Sequence, residues 1–175
     1  MAVTITATAG SASANSFVTL SEADSFMEAR LNASTWETDA GEDDKNRALV
    51  EATRQLSRLK WIGNRSDSTQ ILSWPRQWAI DPDSPFQDYF STATVPQRVK
   101  DATMELAFQY IKAGTTDVAA LDAKHNVKVS KLDVLVTEYV EPWARAKGLA
   151  RYSSVLQHIR ALLVGTGVMR ALVKG

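Results

Sequence analysis

Three tryptophans, Trp61, Trp74 and Trp78, share one stretch with Lys60, Arg65 and Arg76. Indole faces stack on unpaired bases and cations neutralise phosphates, so this is one composition that holds single-stranded nucleic acid. It is equally the composition of a loop pinned to a core by its indoles, with each ring N–H bonded locally. A second basic set, Arg47, Arg54 and Arg58, recurs with Glu51 at helical spacing. It reads either as a basic face for DNA or an acidic partner, or as a solvated face in which Glu51 pairs its neighbours.

The other candidates for chemistry are thin. Asp81, Asp83 and Asp88 approach calcium-loop spacing, but Pro85 occupies a ligand position and the glycine of the sharp turn is missing. They read as turn residues. Asp101 and Glu105 lie four apart on a helix, where a carboxylate pair can do acid–base work. Exposure beside Lys100 is the simpler account. His125 and His158 are too few for a histidine-rich metal centre. Gly165-x-Gly167 follows a helix instead of opening one, so it cannot cradle a phosphate. The chain has no cysteine, which removes thiol nucleophiles, disulfides and thiolate–metal sites. The residues therefore predict no enzyme, no cofactor and no metal.

Twenty basic and twenty acidic side chains cancel, whereas a dedicated duplex-DNA binder normally carries a basic excess. No apolar run approaches the ~20 residues of a membrane span. The opening MAVTITATAGSASANS has no basic start or leucine-rich run and is not expected to be a secretory signal. A hydrophobic content of 45% over 175 residues is that of one ordinary domain with its own core.

The elements that must position these residues are mostly helices. Val99, Ala102, Leu106, Ala107, Tyr110 and Ile111 recur at helical spacing, with Met104 and Phe108 at the side. A helix apolar over most of its circumference is covered from several directions, so 95–113 is the expected central helix. Thr94 and Gln97 have capping-box spacing at its start, and Gly114 suits its end. Thr19 and Glu22 predict a second capping box before a first helix. A second helix is expected at about 43–59, a short turn at 118–121 and a last helix at 153–164. Alternation through Val127, Val129, Val134, Val136 and Tyr139 predicts a β-hairpin at about 126–140. Residues 1–16 form either a short strand at Thr4–Thr6 or a flexible arm. The expected fold is mainly α: a small helical bundle around a central helix, one β-hairpin, and extended N- and C-terminal arms. Its divisions are 1–16, 17–164 and 165–175.

Several stretches in order resemble a family of tailed-bacteriophage head–tail connector (adaptor) proteins. They are Ala14-Asn15-Ser16-Phe17-Val18-Thr19-Leu20-Ser21-Glu22-Ala23-Asp24, then Ala48 to Leu56 with Trp61-Ile62-Gly63, then Leu72-Ser73-Trp74-Pro75-Arg76, Val95 to Ala107, and Val129 to Tyr139. The family tends to have a glycine at the hairpin turn, where Leu132-Asp133 stand here. The resemblance implies a ring, typically dodecameric, beneath the portal in the virion neck, assembled in the host cytoplasm without a membrane. DNA passes through it without sequence-specific binding, and tail or head-completion proteins dock on it. It also implies portal contact by the C-terminal segment, here Val168, Met169, Arg170, Ala171, Leu172, Val173 and Lys174. A ring needs two different complementary patches; the acidic Asp39, Glu42 and Asp43 and the basic Arg47, Arg54 and Arg58 are the candidates. Members are also described as resembling DnaT, a primosomal single-strand-binding protein. The alternative is therefore a nucleic-acid module using Trp61, Arg65, Trp74, Arg76 and Trp78.

Overall fold

The computed structural model describes residues 3–114, 149 and 152–164, together with the backbone of 127–131 and 136–139. In chain order the elements are α1 (Leu20–Glu28), a π turn (Thr35–Asp39), α2 (Glu42–Ser57), β1 (Asn64–Arg65), β2 (Arg76–Gln77) and α3 (Gln97–Ala113). After these come β3 (Val127–Lys131), β4 (Val136–Tyr139), α4 (Ser153–Ile159) and a 3-10 turn (Arg160–Leu162). The fold is mainly helical, as expected. The expected turn at 118–121 and the C-terminal segment 165–175 lie outside the described residues.

α3 is the central helix. Val99, Ala102, Met104, Leu106, Ala107, Phe108 and Tyr110 are all buried, chiefly against α2 and α4. Each large apolar side chain so buried contributes about 1.5–3 kcal/mol. Gly114 closes the helix at φ +67°, its N–H reaching the Tyr110 and Ile111 carbonyls. The start differs from expectation. Pro96, not Thr94, is the N-cap, and the Gln97 side chain turns to Asp101 at 2.7 Å. A proline forces the residue before it toward extended backbone, so buried Val95 cannot be helical and the Thr94 box cannot form.

At α1 the expected box is present. Thr19 Oγ1 accepts the Glu22 N–H at 3.2 Å, and Glu22 Oε2 accepts the Thr19 N–H at 2.8 Å. Residues 3–16 hold neither strand nor helix, but they are fastened. Asn15 accepts the Thr6 N–H and donates to the Thr4 carbonyl, both at 2.8 Å. Asn46 on α2 donates to the Val3 carbonyl at 3.0 Å, and the Phe17 N–H reaches Thr53 Oγ1 at 3.2 Å. Of the two expectations for this segment the strand at Thr4–Thr6 is not formed, and from residue 3 onward the extended arm is bonded through its backbone by Asn46 of α2 and by Asn15.

β3 and β4 pair antiparallel, Val129 opposite Glu138 and Lys131 opposite Val136, with an irregularity between Val127 and Val129. This is the expected hairpin; its turn lies outside the described residues. The last helix ends at Ile159, five residues short of expectation. Beyond it Leu163 bridges Trp61, and the Val164 N–H bonds the Lys60 carbonyl at 2.8 Å. Pairing with the chain leaving α2 has replaced the final helical turn.

Glu105 also departs from expectation. It is not exposed beside Lys100 but 3% accessible, held in a two-pronged pair by Arg30 beyond the end of α1. The Arg30 guanidinium also lies 4.6 Å from the Phe108 ring centre. Burial alone would raise the Glu105 pKa; hydrogen bonds from Arg30, Gln109 and Ser154 outweigh it and leave the group below the usual carboxylate range. A depressed pKa stabilises above the unfolded value, and that stability is lost as pH falls through the folded one. Breaking a buried pair from one side costs ~3–5 kcal/mol. Arg30 is partly exposed, so Arg30→Ala is expected to lower urea-unfolding stability by about 2–4 kcal/mol at pH 7, with the deficit shrinking as falling pH protonates the carboxyl left without its partner. The double variant Arg30→Ala/Glu105→Leu should recover part of the loss. Equal stability of wild type and Arg30→Ala would refute the role.

Candidate functional site

The tryptophan–arginine stretch begins where α2 ends. Trp61 is buried and its indole N–H donates to the Leu56 carbonyl at 3.0 Å. Trp74, preceding a cis proline, is also buried. It stands edge-on to Trp61 at 5.6 Å and to Phe90 at 5.8 Å. Its own indole N–H has no partner among the described residues, so local bonding of each indole holds for Trp61 and not for Trp74.

Arg76 closes the loop. Its guanidinium donates to the carbonyls of Ile62 at 2.7 Å, Ser73 at 3.0 Å, Trp61 at 3.5 Å and Gly63. Burial, and the charge of Arg65 next to it, pull its pKa below the ordinary arginine value. Buried Gln70 adds bonds to the Leu72 and Pro75 carbonyls at 2.8 and 3.1 Å. β1 and β2 then pair, Asn64 opposite Gln77 and Arg65 opposite Arg76. Gly63 is required at the crossing: its φ is +69°, and a Cβ would sit 2.4 Å from the Gln77 carbonyl oxygen.

Beyond β2 the chain forms a lobe, residues 78–90, whose base stays in the core through buried Ala79 and through Phe90 against Trp74. In its stem Ile80 opposes Tyr89, and the Asp81 N–H bonds the Asp88 carbonyl at 2.8 Å. At its tip Ser84 Oγ donates to Asp88 Oδ2 at 2.7 Å and accepts the N–H groups of Phe86 and Asp88 at 3.2 Å. Arg98 on α3 holds Asp83. The lobe presents Trp78, Phe86, Tyr89 and Ile80 to solvent at 63%, 84%, 56% and 43% exposure. Trp78 has φ +61°, uncommon for a bulky residue, and stacks edge-on with Tyr89 at 5.7 Å. Sequence reasoning missed Phe86 and Tyr89 as exposed groups; their place in a proline- and aspartate-rich turn was the available signal.

The five nucleic-acid candidates are therefore divided. Trp61 and Trp74 are core, and the Arg76 fork is spent on carbonyls. Only Trp78 and Arg65 remain exposed. Residues 60–90 carry Lys60, Arg65 and Arg76 against Asp67, Asp81, Asp83 and Asp88, a net sign unfavourable to phosphate.

The charged candidates on α2 lie close together. Arg47 pairs with Asp43 at 3.7 Å and Asp44 at 3.1 Å, and Arg54 with Glu51 at 3.4 Å. Arg58 follows the last residue of α2 as its C-cap, Glu42 opens the helix, and Asp39 ends the π turn. Among them is an open cavity of about 330 Å³, lined by Ala40, Ala48, Tyr110 and Ile111 together with Thr35, Asp39, Asp44, Arg47 and Gly114. Tyr110, on its wall, has its pKa raised, by burial first and by Tyr152 and Glu51 after it. The candidate portal residues Val168 to Lys174 lie outside the described residues. Among the described residues, no group of three or more acidic or histidine side chains is placed to hold a metal, and no helix is long and apolar enough to cross a membrane.

The class these features define is a mainly helical domain with one β-hairpin and an internally braced tryptophan loop that displays an aromatic lobe. The chain belongs to the family described as "Putative DnaT-like ssDNA binding protein", whose sequence profile matches residues 1–175. No curated protein and no solved structure matches it.

The division of the stretch has a direct stability signature. Trp74→Ala removes a fully buried aromatic and should cost about 3–5 kcal/mol in urea unfolding. Trp78→Ala should change stability by less than about 1 kcal/mol. Equal losses at the two positions would contradict the assignment of Trp74 to the core and Trp78 to the surface.

Proposed function

We propose that this chain is a structural head–tail connector subunit of a tailed bacteriophage. It forms a ring under the portal, extends the DNA channel and gives tail proteins a docking platform. It performs no catalysis. The observation that carries the reading is the division of the tryptophan–arginine stretch. Its cations and indoles serve mainly the chain's own backbone and core, and what remains exposed is an apolar lobe in net-acidic surroundings. Such a surface suits protein partners better than a polyanion. The balanced charge of the chain agrees with a channel wall along which DNA must slide without sticking. The ordered resemblance to connector proteins supplies the particular assembly. In it the hairpin faces the tail, and the aliphatic, weakly basic segment Val168–Lys174 contacts the portal.

A second reading is favoured by the family description and by one contact, the exposed Trp78 edge-on to Tyr89 beside a chain bearing Arg65. In it the lobe stacks bases of single-stranded DNA.

Two measurements separate these readings. Titration with an oligothymidine at low salt should leave tryptophan fluorescence essentially unchanged. Strong, salt-sensitive quenching lost in Trp78→Ala would favour the second reading. Deleting residues 166–175 should reduce capture by the purified portal of the same phage at least tenfold. Unchanged capture would remove that segment from the mechanism.

A further inference from the structure

The β3–β4 hairpin has two outer edges, and they are unlike. We propose that β3 of one copy pairs with β4 of the next, so that the hairpins of the ring join into one closed sheet. This rests on the ring assembly proposed above and names the contact that builds its tailward side.

The first ground is the hairpin's own stability. Among the described residues β3 (Val127–Lys131) and β4 (Val136–Tyr139) pair with each other and with no third strand. Two strands alone are barely stable in water and need a further strand, or a helix to lie on, to persist. An outer edge also carries a row of N–H and C=O groups that template another strand, and closing the sheet removes both edges at once.

The second ground is charge. By sequence β3 carries Lys128 and Lys131, and β4 carries Glu138. Opposite charges on neighbouring strands stabilise a sheet, and like charges facing each other destabilise it. β3 beside β4 is therefore favoured over β3 beside β3, which selects a head-to-tail contact over a symmetric pair. A ring requires two unlike patches on each subunit. The two edges of one hairpin supply them without sharing a residue, so every copy can give and receive at once.

Direction and curvature agree with this. Rotation about a ring axis keeps the sense of each strand along that axis. β4 of the next copy then runs against β3, the antiparallel sense that the two strands already have within the hairpin. Closing a sheet also requires bends, and bulges supply them at the rims of barrels. The register passes from Val127 opposite Tyr139 to Val129 opposite Glu138, so Lys128 opposes no residue of β4. That extra residue lies at the end of the hairpin away from its turn.

Amide hydrogen exchange reads this contact directly. The full-length chain is compared in three states: diluted to a monomer of 19.2 kDa, at about millimolar concentration, and assembled on the purified portal of the same phage. On assembly, exchange in peptides spanning 127–131 and 136–139 should slow at least tenfold. Glu138→Lys, which makes both edges basic, should reduce assembly severalfold. The full exchange of signs, Lys128→Glu/Lys131→Glu/Glu138→Lys, should restore it, a recovery that misfolding could not produce. Equal assembly of wild type and Glu138→Lys would overturn the proposal. Complete protection of both strands in the monomer would mean that the chain's own residues cover the edges, and would also overturn it. Association that stops at a dimer would mean a symmetric contact, with the same consequence. Rings at the portal without added protection of the strands would refute this contact and leave the connector reading standing. Strand protection and sign-dependent association in solution, with no ring at a portal, would do the reverse. No assembly in any state would refute both.

Discussion

The guanidinium of Arg76 is the constraint on which the outer half of this molecule depends. An irregular loop leaves carbonyl oxygens without the partners that a helix or sheet supplies. Here one planar cation, with five donors in a fixed fork, gathers carbonyls from Trp61, Ile62, Gly63 and Ser73. Two chain segments that meet only in the folded state are tied at one point. Trp61 and Trp74 then pack edge-on beneath it, and the strand leaving α4 bridges Trp61 on the other side. Lysine could supply the charge but not the fork.

That tie also sets how the lobe is displayed. With Gly63 pressed against the Gln77 carbonyl, the chain must turn at Trp78, and it does so in a backbone region that bulky residues seldom occupy. The turn throws the indole outward against Tyr89, while Ala79 and Phe90 hold the base of the lobe in the core. A positive φ at a surface aromatic is a local cost that the surrounding structure sustains. Such costs gather where a surface is used. Under the connector reading that use is contact with a protein partner; under the second reading it is stacking on single-stranded DNA.

Much of the interior was legible in the sequence, because period and end signals are local. The apolar face of α3, the Thr19–Glu22 box, the glycine that ends α3 and the alternation of the hairpin all concern neighbours within a few residues. Misreadings arose where a distant residue decided the outcome. Glu105 looked like an exposed acid until Arg30, 75 residues away, reached it. The N-terminal segment looked free until Asn46 and Thr53 bonded its backbone. The Thr94 box had the right spacing but was vetoed by Pro96. The same limit explains the tryptophans: three indoles of one composition divide into two core residues and one surface residue. That division is settled by Arg76 and Phe90 in three dimensions, not by spacing.

Under the proposed function, this chain works by fitting against copies of itself at a capsid gateway. An electron cryo-microscopy reconstruction of the assembled virion neck measures that most directly. The expected density is a closed ring of this chain between portal and tail. A neck from which the chain is absent, with the protein found instead coating single-stranded DNA in the infected cell, would contradict it.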